Sequence, residues 1–294
     1  MGKLREEMIR YMVTRGYSPK TVKSYTSCVS VLAHFFDKSP LEITSIEVEA
    51  FFLSLRERGR REATIRLYYE AIKFFYRSHG ILNRVPIIRF HKEADRLPRI
   101  LSPNDVGRLL SSCTNLKFRT LFSVIYSSGL RISEALNLTI TDLDFSRNLI
   151  FVRAGKNGKD RHTILANSAK DLLTEYITRY QPKHSLFYAA DREITLSQES
   201  VRRVFKRLIE NSGLDQNLKI HTLRHCFATH SVEHGTSLFH VMKLLGHAHI
   251  QTTMKYLHMR SPEVLGITSP LDTLQDSLAP FSPRSEPGFA LRSA

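Results

Sequence analysis

Residues 221–256 read HTLRHCFATHSVEHGTSLFHVMKLLGHAHIQTTMKY. His221 and Arg224 stand three positions apart, so a helix over 221–233 puts them on one face. Leu223, Phe227, Ala228 and Val232 can pack behind them. Gly235 ends that helix, and Gly246 ends the next, over Ser237–Leu245. His247 follows the second stop on a turn, and a short helix over 250–258 carries Tyr256. Two cationic or proton-carrying groups, a turn histidine and a late tyrosine thus fall within one compact segment. That set suits a phosphate diester attacked by a phenol.

Two features lie upstream. The run GLRISE at 129–134 sets Arg131 just after a glycine break, ahead of a polar turn at Asp144–Asn148. Two β-rich runs, Leu149–Arg153 and Arg161–Ala166, flank Ala154–Asp160, which predicts a β-hairpin with Lys156 in its turn. Arg131, Lys156, H-x-x-R at His221 to Arg224, L-L-G-H at Leu244 to His247, and Tyr256 occur in the order of the tyrosine recombinase (phage integrase) family. The chain resembles that family over roughly residues 5–265, and in length it is most similar to the Xer type. The resemblance implies a mainly α fold: an N-terminal helical core-binding (SAM-like) domain, then a mixed, mostly α catalytic domain with a small β-hairpin sheet. It also implies double-stranded DNA with inverted half-sites as partner and a homotetramer on two duplexes.

The residue chemistry agrees with that implication. Charge gathers on the non-bridging oxygens of a phosphodiester in transfer, and the planar fork of arginine answers it with paired, charge-assisted hydrogen bonds. Arg131 and Arg224 are the candidate clamp. Tyr256 is the candidate nucleophile; a phenol has a pKa of about 10 and needs help to ionise, and His221 is placed to accept its proton. Lys156 is the candidate acid for the departing 5′ oxygen, with Lys159 in the same turn. His247 is assigned to the phosphate, His225 to a local hydrogen bond in the site, and Cys226 to the core. The competing reading is metal. His221/His225 and His230/His234 have H-x-x-x-H spacing, which can bind zinc on a helix. The metalloprotease pattern, however, needs a glutamate where Thr222 stands, and no carboxylate pair is set out for two-metal chemistry. No P-loop and no G-x-G-x-x-G occurs, so neither ATP nor a dinucleotide is implied, and no cofactor is expected.

Residues 1–90 read as helices only. Ser18-Pro19 opens one whose apolar face is Val22, Tyr25, Val29, Leu32 and Phe36. A second runs over Ile46–Arg58 and a third over about 63–78, with Ile65, Tyr68, Ile72 and Phe75 on its apolar side. The third carries a basic stripe of Arg66, Lys73 and Arg77, just after Arg60 and Arg61; these five are the candidate DNA-binding residues. A stripe of this kind can also be merely solvated. The charged, aperiodic stretch 91–101 is the expected linker. It divides a DNA clamp at 1–90 from a catalytic domain at 102–265, where Ser102-Pro103 caps the first helix. Further helices are expected at 117–128, 168–179 and 199–211. The tail, 266–294, is rich in proline and reads as partly disordered, with one short helix over Leu271–Leu278.

The net charge is +15, and both parts share it: residues 1–100 hold 19 Lys/Arg against 11 Asp/Glu, and the remainder 24 against 17. Such a balance suits a polyanion gripped from both sides. No apolar run is long enough for a membrane span. Cys28, Cys113 and Cys226 form no C-x-x-C pair and read as reduced and buried in a cytoplasmic protein. Two other readings share these features: a basic two-domain DNA-binding protein without catalysis, and a nicking-closing enzyme of topoisomerase type. The charge predicts that log affinity for DNA falls with log salt at a slope steeper than about −3. A salt titration of binding checks this, and alanine at Arg66, Lys73 and Arg77 together should make the slope shallower.

Overall fold

The computed structural model describes residues 2–91, 99–153, 160–189, 194–254 and 256. The chain divides into two compact units, Met1–Asp95 and Arg96–Ala294. The expected linker lies largely outside the described residues. So do Lys156, Lys159 and the tail with its expected helix.

Among the described residues the first unit holds four α-helices, α1 (Gly2–Thr14), α2 (Pro19–Phe36), α3 (Ser45–Glu57) and α4 (Glu62–Ser78), and a short 3-10 turn at Leu82–Arg84. Their starts follow local chemistry. The Ser18 hydroxyl accepts from the Thr21 N–H, and Thr44 and Glu47 form a reciprocal capping box ahead of α3. The apolar stripes meet in one core, where Met8, Met12, Leu32, Phe51, Ile65, Ile72 and Phe75 are buried. Tyr76 is buried among them, and its hydroxyl donates to the Pro40 carbonyl at 3.1 Å. The stripe opposite that core on α4 carries exposed Arg66 and Arg77, with Lys73 half-buried between them. Arg66 sits 5.0 Å over the Phe90 ring and Lys73 5.5 Å from the Tyr69 ring. Arg60 and Arg61 are exposed ahead of the helix.

The second unit is mainly helical as well: α5 (Pro103–Ser111), α6 (Leu116–Ser128), α7 (Ile132–Leu136), α8 (Asn167–Tyr180), α9 (Gln198–Ser212), α10 (His221–Glu233), α11 (Leu238–Leu245) and α12 (Gln251–Met254). Helix α6 is buried on most sides, with Thr120 through Ile125 all buried, and it packs between α8 and α10. Among the described residues one antiparallel sheet accompanies the helices, in the order β1 (Leu143–Asp144), β2 (Leu149–Val152), β3 (Arg161–Ile164). The hairpin strands pair from Leu149↔Ile164 to Val152↔Arg161. The short β1 was not expected from sequence. It pairs with β2 across the polar turn, where Asp144 Oδ1 accepts the N–H groups of Ser146 and Arg147. Strand β3 is fastened to the end of α6, since buried Thr163 donates to the Ser128 carbonyl at 2.7 Å.

Gly129 ends α6 in the left-handed conformation, with φ +63°. A Cβ there would lie 2.3 Å from Phe227 Cδ1 and 2.9 Å from Leu245. Only glycine lets the chain turn this close to α10 and α11, and the turn delivers Arg131 two residues later. Gly235 has φ +85° but open space around it. Gly235→Ala should therefore cost about 1 kcal/mol from backbone strain alone. Gly129→Ala should cost roughly 2–3 kcal/mol more, because overlap with packed side chains adds to the strain. Urea unfolding of both variants checks the difference; equal losses would mean that Phe227 yields freely.

Candidate active site

Arg131 is the residue before α7. Its N–H donates to Glu134 Oε2 at 2.8 Å, and its guanidinium donates to Oε1 at 2.6 Å. Glu134 is buried, and it collects more than this one partner. Arg161 on β3 donates to both carboxylate oxygens, at 3.1 and 2.8 Å, and to the Leu244 carbonyl at 2.8 Å. Arg224 Nη1 lies 3.6 Å from the same carboxylate. Burial works against a charged Glu134, but the hydrogen bonds and charges of Arg161 and Arg131 outweigh it, holding the carboxyl down at about 2.

Arg224, on the first turns of α10, is 1% exposed. Nη1 donates to the Gly129 carbonyl and Nη2 to the Leu245 carbonyl, both at 2.7 Å. These bonds pin the guanidinium to the glycine turns that end α6 and α11. Burial and the neighbouring Arg131 charge pull it down to about 9, which still leaves a cation at neutral pH.

His247 follows Gly246, whose φ is +64° and where a Cβ would meet the Arg161 side chain at 2.8 Å. Arg224 Nη2 lies 3.2 Å from His247 Nε2. Because a guanidinium can only donate, Nε2 accepts, and the ring carries its proton on Nδ1. Nδ1 then donates to buried Thr253 Oγ1 at 2.8 Å. That bond ties the turn histidine to α12.

Tyr256 follows α12 in a turn, its N–H donating to the Thr253 carbonyl at 3.0 Å. Its ring is 1% exposed and packs in a small cluster with Phe227, Ala228, Val232, Val241 and Leu245. The hydroxyl meets His225 Nδ1 at 2.8 Å. Burial pushes the phenol up to about 12, against the opposing pull of the Arg224 and Arg131 charges. His221 is exposed at the head of α10, its ring 4.6 Å from that of His225 and set edge to face.

Arg131, His221, Arg224, His225, His247 and Tyr256 line one cavity of about 330 Å3. Five of the six catalytic candidates read from the sequence are therefore brought together, from three separate stretches of the second unit; Lys156 is the sixth. Glu134, Arg161 and Thr253 were missed as participants. For Glu134 there was a signal, since it stands three residues after Arg131 at capping-box spacing. For Arg161, 27 residues from Glu134, there was none. The H-x-x-x-H pairs serve other ends. His230 is held by Tyr126 Oη at 2.9 Å and by the Leu101 carbonyl at 3.0 Å, and among the described residues no group of three or more His, Cys, Asp or Glu could hold a metal ion.

Comparison with known proteins finds relatives over most of the chain. Residues 99–262 match the Phage integrase family, and residues 4–80 match the Phage integrase N-terminal SAM-like domain. Tyrosine recombinase XerA of Pyrococcus horikoshii is 31% identical over 256 residues, covering 85% of this chain and 87% of its own. A crystal structure of XerA recombinase is similar with a TM-score of 0.53 at 26% identity, over 95% of this chain and 99% of that one. The XerH site-specific recombinase, in a post-cleavage complex with its palindromic difH substrate, shares the fold with a TM-score of 0.68 at 23% identity, over 84% of this chain and 79% of that one. The chain belongs to the phage integrase family, as a tyrosine recombinase of the Xer type.

Proposed function

We propose that the protein cuts and rejoins DNA at specific sites through a 3′-phosphotyrosyl intermediate, using neither metal nor ATP. The observation that carries this reading is the shared cavity, lined by one tyrosine, two arginines and four histidines. Tyr256 Oη attacks a backbone phosphate, the new P–O bond forms, and the bond to the 5′ oxygen breaks. Arg131 and Arg224 take the charge that builds on the non-bridging oxygens. Both are already fixed by Glu134 and by backbone carbonyls, so little reorganisation is needed when charge develops. His221 adds a donor to the same phosphate, His247 joins it once its Nε2, which accepts from Arg224 in the DNA-free chain, takes up a proton, and Lys156 protonates the leaving 5′ oxygen. A 5′ hydroxyl from a partner strand then reverses the step. One phosphodiester is exchanged for another, so the bond energy is kept and no external source is required.

The wider assembly follows from the same reading. Residues 1–90 act as a helical DNA clamp, with Arg60, Arg61, Arg66, Lys73 and Arg77 against phosphates, and residues 102–265 as the catalytic domain. The partner is duplex DNA with inverted half-sites, and four protomers act on two duplexes. The basic charge carried by both halves of the chain supports a polyanion held from two sides.

The test uses a duplex selected for tight binding from a random-sequence library and nicked just downstream of the cleaved bond, so that the freed fragment escapes and religation fails. Wild-type protein should form an adduct that survives boiling in detergent and persists in excess EDTA. Tyr256→Phe removes one oxygen and should bind DNA yet form no adduct. Lys156→Ala should slow adduct formation roughly a hundredfold or more, as loss of a general acid does. A 5′-bridging phosphorothioate, whose sulfur leaves without a proton, should rescue that variant. Rescue of Lys159→Ala instead would move the acid to Lys159. An adduct in Tyr256→Phe, or its loss in EDTA, would overturn the mechanism.

A further inference from the structure

A nucleophilic phenol must shed its proton as it bonds to phosphorus. Tyr256 makes this harder than usual, because its ring is buried in an apolar cluster that disfavours the phenolate. The group in hydrogen-bond contact with its oxygen is the imidazole of His225, one residue after the buried arginine, with Nδ1 at 2.8 Å from Oη. That is the distance a general base needs. His225 is itself half-buried, and its ring is bracketed by His221 at 4.6 Å and Tyr256 at 5.8 Å between centroids.

We propose that His225 is the general base that accepts the Tyr256 proton on Nδ1. The inference rests on the phosphotyrosyl reading above and assigns one of its steps. With the ring proton on Nε2, Nδ1 presents a lone pair to the hydroxyl. As an Oη lone pair forms the P–O bond, the Oη proton passes to Nδ1 and His225 becomes an imidazolium. The electron pair of the breaking bond leaves with the 5′ oxygen, which is protonated by the acid on its own side. In rejoining, the imidazolium returns its proton to Oη as the tyrosine departs. Each step conserves protons and electrons, and no co-reactant is needed. His221, exposed at the head of α10, is left to a phosphate oxygen.

The charged and titratable groups around the ring define what a pH profile reads. On α10 itself these are His221 and Arg224. Around the cavity they are Arg131 ahead of α7, His247 and His249 beyond α11, and Tyr256 beyond α12. Next to Arg131, the Glu134 carboxylate is engaged by Arg131 and Arg161.

Full-length protein and the nicked, library-selected duplex serve for the test, with single-turnover adduct formation followed from pH 5 to 9. His225→Ala should bind DNA as wild type does but form adduct about a hundredfold more slowly, the size expected for loss of a general base. The acid limb of its rate profile, on which an imidazole base becomes protonated, should vanish. Added imidazole should restore a large part of the rate and bring the acid limb back. His225→Asn keeps a hydrogen-bonding neighbour for Oη without basicity, so it should stay slow, and it guards against a misfolded alanine variant. The inference is overturned if either variant forms adduct within about threefold of wild type, a change too small for loss of a general base. It is equally overturned if imidazole rescues His221→Ala and not His225→Ala. If wild type forms no adduct, the phosphotyrosyl reading falls and this step with it; a normal wild type beside unimpaired His225 variants sinks the His225 assignment alone.

Discussion

The buried carboxylate of Glu134 is the fixed point of the second unit. Three guanidinium groups approach it, from Arg131, Arg161 and Arg224. Crowding three cations into a half-dry site is unfavourable unless a counter-charge stands between them, and a buried carboxylate is equally unfavourable without cations around it. Each therefore makes the other tolerable. The arrangement still leaves an excess of positive charge, which suits a site that meets a phosphate. Arg161 contributes differently from the other two. Its Nε and both terminal nitrogens are engaged by Leu244 and Glu134, so it serves as the brace that joins the hairpin strand β3 to α7 and to the end of α11.

Close backbone approach is the second constraint, and it works with the first. Arg224 reaches the carbonyls of Gly129 and Leu245 because the chain turns tightly at Gly129 and Gly246. A side chain at either glycine would collide with Phe227 or Arg161. The turns that stop α6 and α11 thus also supply the acceptors that orient the buried arginine. Helix termination and site construction are one piece of geometry here, which ties stability of the core to placement of the cations.

Much of this was legible in the sequence, for local reasons. The Ser18-Pro19 and Ser102-Pro103 starts, the glycine stops and the apolar stripes of α2 and α4 each depend on residues within a few positions of one another. The hairpin was legible because its two strands flank a glycine-containing turn. Strand β1 was not, since two residues have no periodicity and exist as a strand only by pairing with β2. The Glu134–Arg161 contact was invisible for a related reason. An ion pair between residues 27 positions apart leaves no spacing signature, and Arg161 sits in a strand whose pattern marks it as one more alternating side chain. A local hydrogen bond was expected of His225, but its partner, Tyr256, was not legible. Contact with Oη 31 residues away is decided by the approach of the segment after α11 to α10, and that approach brings His225 to the hydroxyl.

The first turns of α10 show how one stretch can divide such labour. At 3.6 residues per turn, position 225 falls about 40° to one side of 221 and position 224 about 60° to the other, so the two deeper residues diverge by about 100°. Arg224 accordingly goes inward to the glycine turns, where it is desolvated and immobile. His225 sits one turn below His221 on the cavity side, half-buried against Tyr256, and His221 remains at the exposed rim. Depth along this single helical face grades the environment from wet to dry. A group at the rim can meet a phosphate arriving from solvent, while a group one turn deeper can meet a tyrosine held by the core. The proposed reaction needs both kinds of contact within a few ångströms, and an i, i+4 pair at a helix start supplies them without any loop having to be ordered for the purpose.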